Sequence, residues 1–132
     1  MNFEEIAKKN GIDVDLVGNY HQHQNGDGWV SNNAHIDNSA FIGENAWISD
    51  YARIYGNAKI YGNTWKTSPL YIQGSKWSLT NCKYGYIQIG CHCKSIDWWV
   101  ANGLSIAKIE NMSDDEINEY TAYIKLFQLI GK

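Results

Sequence analysis

The sequence predicts a mainly β fold: a short left-handed parallel β-helix of about three coils, with a short N-terminal helix and C-terminal helices. Three observations lead there. Residues 30 to 65 divide without a gap into six hexapeptides, VSNNAH, IDNSAF, IGENAW, ISDYAR, IYGNAK and IYGNTW. Each opens on a β-branched aliphatic residue: Val30, Ile36, Ile42, Ile48, Ile54 and Ile60. Each carries a small residue at its fifth position: Ala34, Ala40, Ala46, Ala52, Ala58 and then Thr64.

The spacing has a physical reading. A β-branched residue suits a short strand and points into the core. The side chain two residues earlier lies on the same face, where a corner leaves room only for a small group. Asn, Asp and Gly crowd positions two to four, where the backbone bends and φ > 0 is tolerated. Three hexapeptides make one triangular coil of 18 residues, with stacked strands roughly 4.8 Å apart. The pattern loosens after Trp65: Leu70 and Lys76 occupy the small-residue corners, and register is lost near Ser78-Leu79. Tyr84-Gly85-Tyr86 reads as a turn and Ile87-Gln88-Ile89 as one more strand, so 66 to 92 reads as an irregular third coil with a closing strand. Asn25-Gly26-Asp27-Gly28 is a turn cluster feeding the first repeat.

The flanks read as helical. Phe3 to Lys9 forms a short helix with Gly11 near its end. Ser95 is placed to cap a short helix through Trp98, Trp99 and Val100, ended by Asn102-Gly103. Ser113 and Glu116 form a capping box for a helix from Asp114 to Ile130. Its Ile117, Tyr120, Ile124 and Phe127 make one stripe, widened by Tyr123, Leu126 and Ile130, and such a stripe is expected to be buried. At 132 residues the chain is expected to be a single domain, divided into an N-terminal helix and linker (1–23), a β-helix (24–92) and a helical C-terminal cap over one open end (93–132).

The six hexapeptides resemble the hexapeptide-repeat superfamily, whose fold is the left-handed β-helix. The resemblance implies two activities by analogy: acyl transfer from CoA thioesters in trimers, and carbonic anhydrase activity. The second needs three histidines on the coils, and His35 alone lies within the regular repeat. The first needs a general base near a subunit boundary and a cofactor groove. A three-coil prism is roughly 15 Å tall at 4.8 Å per coil, short for a pantetheine arm. Acyl transfer therefore stands as the alternative reading, and no cofactor or catalytic residue is expected.

An 18-residue period lets the outer faces be read directly. One face aligns Trp29, Trp47 and Trp65 beside Ser31, Ser49 and Thr67; a second aligns His35, Arg53 and Tyr71 with Asp37, Tyr55 and Gln73; a third includes Phe41, Lys59 and Tyr61. A ladder of three indoles is a large apolar surface that monomers rarely leave bare. The C-terminal helix, a second copy of the chain or a foreign partner are the candidates to cover it. The candidate interface residues are Trp29, Trp47, Trp65, His35, Arg53, Tyr55, Lys59 and Tyr61.

Other chemistry is sparse. His21 with His23, and Cys91 with Cys93, each share a side of an extended segment and are the only candidates for zinc ligands; neither pair has C-x-x-C spacing, so no metal is expected. Cys82, Cys91 and Cys93 show no nucleophile pattern. The glycines form no phosphate-binding motif. A net charge of -3 and a pI near 5.7 argue against general nucleic-acid binding. Met1-Asn2-Phe3-Glu4-Glu5 has no signal-peptide character, no apolar run approaches the roughly 18 residues of a membrane span, and an odd cysteine count argues for reduced thiols in a cytoplasm.

The whole chain also resembles small proteins encoded in phage and prophage genomes, through the repeat, Ile89-Gly90-Cys91, Trp98 or Trp99, and Tyr120. That resemblance implies a non-catalytic inhibitor of anti-CRISPR or other anti-defence type in a bacterial host's cytoplasm. Such an inhibitor would occlude a host protein or sequester a small ligand, and the Trp ladder makes a homo-oligomer the expected state.

Overall fold

A computed structural model describes residues 3–9, 11 and 18–132. The chain divides into two compact units, Met1–Ser68 and Pro69–Lys132. The division falls inside the segment 24–92 that the sequence assigns to one β-helix.

The first unit holds helix α1 (Phe3–Lys9) and strands β1 (Tyr20–Gln22), β2 (Trp29–Ser31), β3 (His35–Ile36), β4 (Phe41–Ile48), β5 (Arg53–Ile54) and β6 (Lys59–Trp65). Helix α1 is where the sequence places it. Glu4 and Glu5 lie in its first turn and Lys8 and Lys9 in its last, opposing the helix dipole at both ends. Strands β1, β2, β4 and β6 form one mixed sheet in that order, and β3 pairs with β5 in a second. Val30, Ile42, Ile48 and Ile60 are fully buried, with Ala40, Ala46, Ala52 and Ala58.

The parallel β-helix is not what forms. At the small-residue positions of four hexapeptides the chain turns. The amides of Ala34, Ala40, Ala52 and Ala58 return to the carbonyls of Ser31, Asp37, Ser49 and Tyr55, three residues back. In the third and sixth hexapeptides it runs straight. Gly43, Glu44 and Asn45 lie inside the eight-residue β4, and Tyr61, Gly62 and Asn63 lie inside β6, so no triangular coil closes. An 18-residue register pairs Trp29 with Trp47, His35 with Arg53, and Ile42 with Ile60. An irregularity between Ile42 and Asn45 then shifts it, so that Thr64 lies opposite Trp47 and Trp65 opposite Ile48.

The third coil is likewise absent. The second unit holds β7 (Tyr71–Gln73), β8 (Ser78–Lys83), β9 (Tyr86–Ile89), β10 (His92–Ser95), α2 (Ile96–Ile109) and α3 (Asp114–Ile130). Its strands form an antiparallel sheet in the order β10-β9-β8-β7. The connections explain the direction. Gly74–Trp77, Tyr84-Gly85 and Gly90-Cys91 are hairpin-length, whereas a parallel crossover needs about a dozen residues. Gly85 (φ 83°) and Gly90 (φ 55°) supply the positive φ these tight turns require. The fold is mixed α/β, with several small sheets and three helices among the described residues, and no closed or solenoid-like sheet.

Leu79, Ile87, Ile89, Trp99, Tyr120, Ile124 and Phe127 form the second unit's core. Ser95 caps α2, accepting from the Trp98 amide at 3.0 Å. The expected stop at Asn102-Gly103 does not occur: Asn102 donates back to the Trp98 carbonyl at 2.9 Å and the helix continues to Ile109. The Ser113–Glu116 capping box is present. Tyr120, Ile124 and Phe127 are buried as the stripe predicts, whereas Leu126 and Ile130 are exposed, so the buried face is narrower than expected. Tyr120 locks α3 to the β7–β8 turn: its hydroxyl accepts from the amides of Lys76 (2.8 Å) and Trp77 (2.5 Å) and donates to the Trp77 carbonyl (3.1 Å). Glu119 accepts from the Ser75 amide and hydroxyl and from the Tyr123 hydroxyl.

Candidate functional site

Helices α2 and α3 are joined by four residues, Glu110 to Ser113, which makes them antiparallel neighbours. Asn111, at φ 54°, turns the chain, and the amides of Glu110, Asn111 and Met112 return to carbonyls of the last turn of α2. Between the helices and the β9–β10 turn lies a cavity of about 440 Å³, within the range of small-molecule sites.

Its shape follows from helix geometry. On α3 the lining positions are Ile117, Tyr120, Thr121, Ile124, Lys125 and Gln128, a three-to-four-residue recurrence that runs about 16 Å along the axis at 1.5 Å per residue. On α2, Val100, Gly103, Leu104 and Ala107 face it. A Cβ at Gly103 would sit 3.3 Å from Ile124 Cδ1, a close contact that glycine avoids where α2 faces α3. Trp77, Ile89 and Trp99 supply further wall, with the Trp77 ring 5.6 Å from that of Tyr120 and the Trp99 ring 5.1 Å from that of Trp98.

The polar atoms of the buried aromatic walls are engaged within the fold. Trp99 Nε1 donates to the Ile87 carbonyl at 3.0 Å, and the Tyr120 hydroxyl makes the three bonds described above. The lining is predominantly apolar, with the thioether of Met112 among its side chains. Charged and polar groups stand at the rim, where Cys91, His92, Glu110, Thr121, Lys125 and Gln128 are all exposed.

The three cysteines are free thiols. Cys82 and Cys93 place their sulfurs 3.3 Å apart, and burial pushes the Cys82 thiol up, away from thiolate chemistry.

The predicted interface residues divide. Trp47 is fully buried and Trp65 is 2% exposed, its Nε1 donating to the Gly62 carbonyl; Trp29 is half-buried. The indoles are thus not a bare ladder. The Trp29 ring lies 6.1 Å from Trp47, the Tyr20 ring of β1 lies 5.0 Å from Trp47, and the register shift takes Trp65 out of the column. His35, Arg53 and Tyr55 are exposed and do come together. The His35 and Tyr55 rings are 5.3 Å apart, and Arg53 donates to the Tyr55 hydroxyl at 3.4 Å. His35 Nε2 is 3.1 Å from Asp37, whose carboxyl is held below its ordinary range chiefly by the Gly56 amide. Lys59 and Tyr61 lie half-buried on β6 beside Phe41.

His21 is exposed against Asn32, and His23 is buried against the Ala40 carbonyl at 2.8 Å. Among the described residues no three of His, Cys, Asp and Glu converge on a metal-sized site, and no helix is long and apolar enough to cross a membrane. Sequence reasoning missed the cavity. Its one visible signal was an apolar α2, carrying Trp99 and Val100, running into the stripe of α3.

Comparison with known proteins finds no matching family model, no matching curated protein and no matching solved structure.

Proposed function

We propose that the chain is a non-catalytic binding protein that sequesters a small, largely apolar ligand between α2 and α3, in the cytoplasm of a bacterial host. The observation that carries this reading is the largely apolar cavity of about 440 Å³. Pockets of this size that bury most of a ligand's surface are where small molecules are held. The Trp99 indole N–H and the Tyr120 hydroxyl in its wall are already bonded within the fold, which suits holding a molecule rather than transforming one. Occlusion of a host protein through the Trp ladder is less well supported, because Trp47 and Trp65 are buried. Free thiols at all three cysteines fit a reducing compartment. The resemblance to phage-encoded proteins gives the proposal its setting: withdrawal of a host molecule from a defence response.

The test is titration with N-phenyl-1-naphthylamine, a neutral dye that brightens in apolar surroundings. Saturable one-to-one binding is expected, lost when Ala107, 6% exposed in the cavity wall, is replaced by Trp. Circular dichroism checks that Ala107→Trp folds. Val100→Trp, at an exposed lining position, serves if it does not. Binding unaffected by a folded wall variant contradicts the proposal.

A further inference from the structure

The cavity has two chemically different ends, and its interior offers no hydrogen bond from the buried aromatic walls. Because α2 and α3 are antiparallel, Glu110 and Met112 mark the end at the helix connection, while Lys125 and Gln128 mark the other. His92 belongs to the Lys125 end, since its ring lies 6.5 Å from Trp99 in the first turn of α2. A carboxylate therefore guards one end, and an ammonium with an imidazole the other.

A ligand that buries donors or acceptors against the Trp99 and Tyr120 side of the groove leaves them unsatisfied, since the polar atoms of those two side chains are occupied. Each such group costs about 1–3 kcal/mol. That penalty falls on nucleobases, sugars and peptides and spares a hydrocarbon chain. The elongated groove, about 16 Å along α3 at 1.5 Å per residue, suits a chain rather than a compact ring system. Val100 and Leu104, 53% and 55% exposed, extend the apolar track at the rim.

We propose that the ligand is a single-chain amphiphile, its aliphatic chain lying along the α2–α3 groove and its anionic head at Lys125. This rests on the cavity being the binding site, as argued above, and adds the chemical class and orientation of the occupant. Charge complementarity sets the orientation: an anionic head at the opposite end would meet the Glu110 carboxylate.

The experiment displaces N-phenyl-1-naphthylamine from the full chain with laurate, dodecanol, dodecyltrimethylammonium and a cyclic dinucleotide, each below its aggregation concentration. Laurate is expected to displace the dye about three- to tenfold more tightly than dodecyltrimethylammonium, the scale of one exposed charge contact changed from attraction to repulsion. Lys125→Glu is expected to reverse that order and leave dodecanol unchanged. Equal affinities for the two charged chains, or an order unaltered by Lys125→Glu, overturns the head assignment; dye binding lost in Ala107→Trp would still support the cavity. Displacement by the cyclic dinucleotide but by no twelve-carbon chain overturns the ligand class. Dye binding that survives Ala107→Trp overturns both readings.

Discussion

The Tyr120 hydroxyl shows how one atom can set local geometry. It satisfies two amides and one carbonyl of the β7–β8 turn, and so fixes the side of α3 that lines the cavity. Gly74 answers to the same atom: a Cβ there would meet the Tyr120 oxygen at 2.5 Å and the Trp77 carbonyl oxygen at 2.7 Å. Tyr120→Phe keeps the ring and strands two amides, and is expected to lower stability by about 1–3 kcal/mol in urea unfolding. Little of this was visible beforehand. The sequence placed Tyr120 on a buried stripe, correctly, but the partner of its hydroxyl depends on a hairpin that the hexapeptide reading treated as part of a coil. His35 with Arg53 and Tyr55 lies at the opposite extreme. Their grouping follows from 18-residue pairing of two short strands and was legible in the sequence.

At the scale of elements, signals carried by local chemistry survived. The Ser113–Glu116 capping box starts α3, and Ser95 starts α2. Ser113→Ala removes a side-chain acceptor at the helix start and is expected to cost about 0.5–2 kcal/mol by thermal unfolding. The anchors of α3 also have an acid limit. Glu116 is held below its ordinary range chiefly by the Ser113 amide, and Glu119 chiefly by the Ser75 hydroxyl. A carboxyl with a depressed native pKa contributes stability that is fully present above its unfolded value, about 4.3, and lost as pH falls through the lower native value. Thermal stability is therefore expected to decline below about pH 4.3, and Glu119→Gln should make that decline shallower. An acid limb of unchanged slope would remove Glu119 from the account. Signals that depend on distant pairing failed at this scale. The small fifth-position residues were expected to turn every corner, yet β4 and β6 run straight through theirs, Ala46 and Thr64, because strand pairing there satisfies the backbone that a turn would otherwise have to satisfy.

For the whole molecule, the repeat was a correct reading of residue spacing and an incorrect reading of architecture. Its buried Ile and Ala positions are core, and its 18-residue pairs exist, but periodicity does not specify how a chain continues beyond the period. Two-residue connections after Lys83 and Ile89 decided the second unit in favour of antiparallel hairpins and left α2 and α3 to enclose a space no motif announces. The most direct test of the central claim is solution NMR of the chain with laurate. Intermolecular Overhauser contacts from the laurate methylenes to the Ile124 methyls and the Trp99 indole are expected, with laurate's α-methylene nearest Lys125. Contacts confined to surfaces outside α2 and α3, or no contact to Ile124 and Trp99 at saturating laurate, would contradict it.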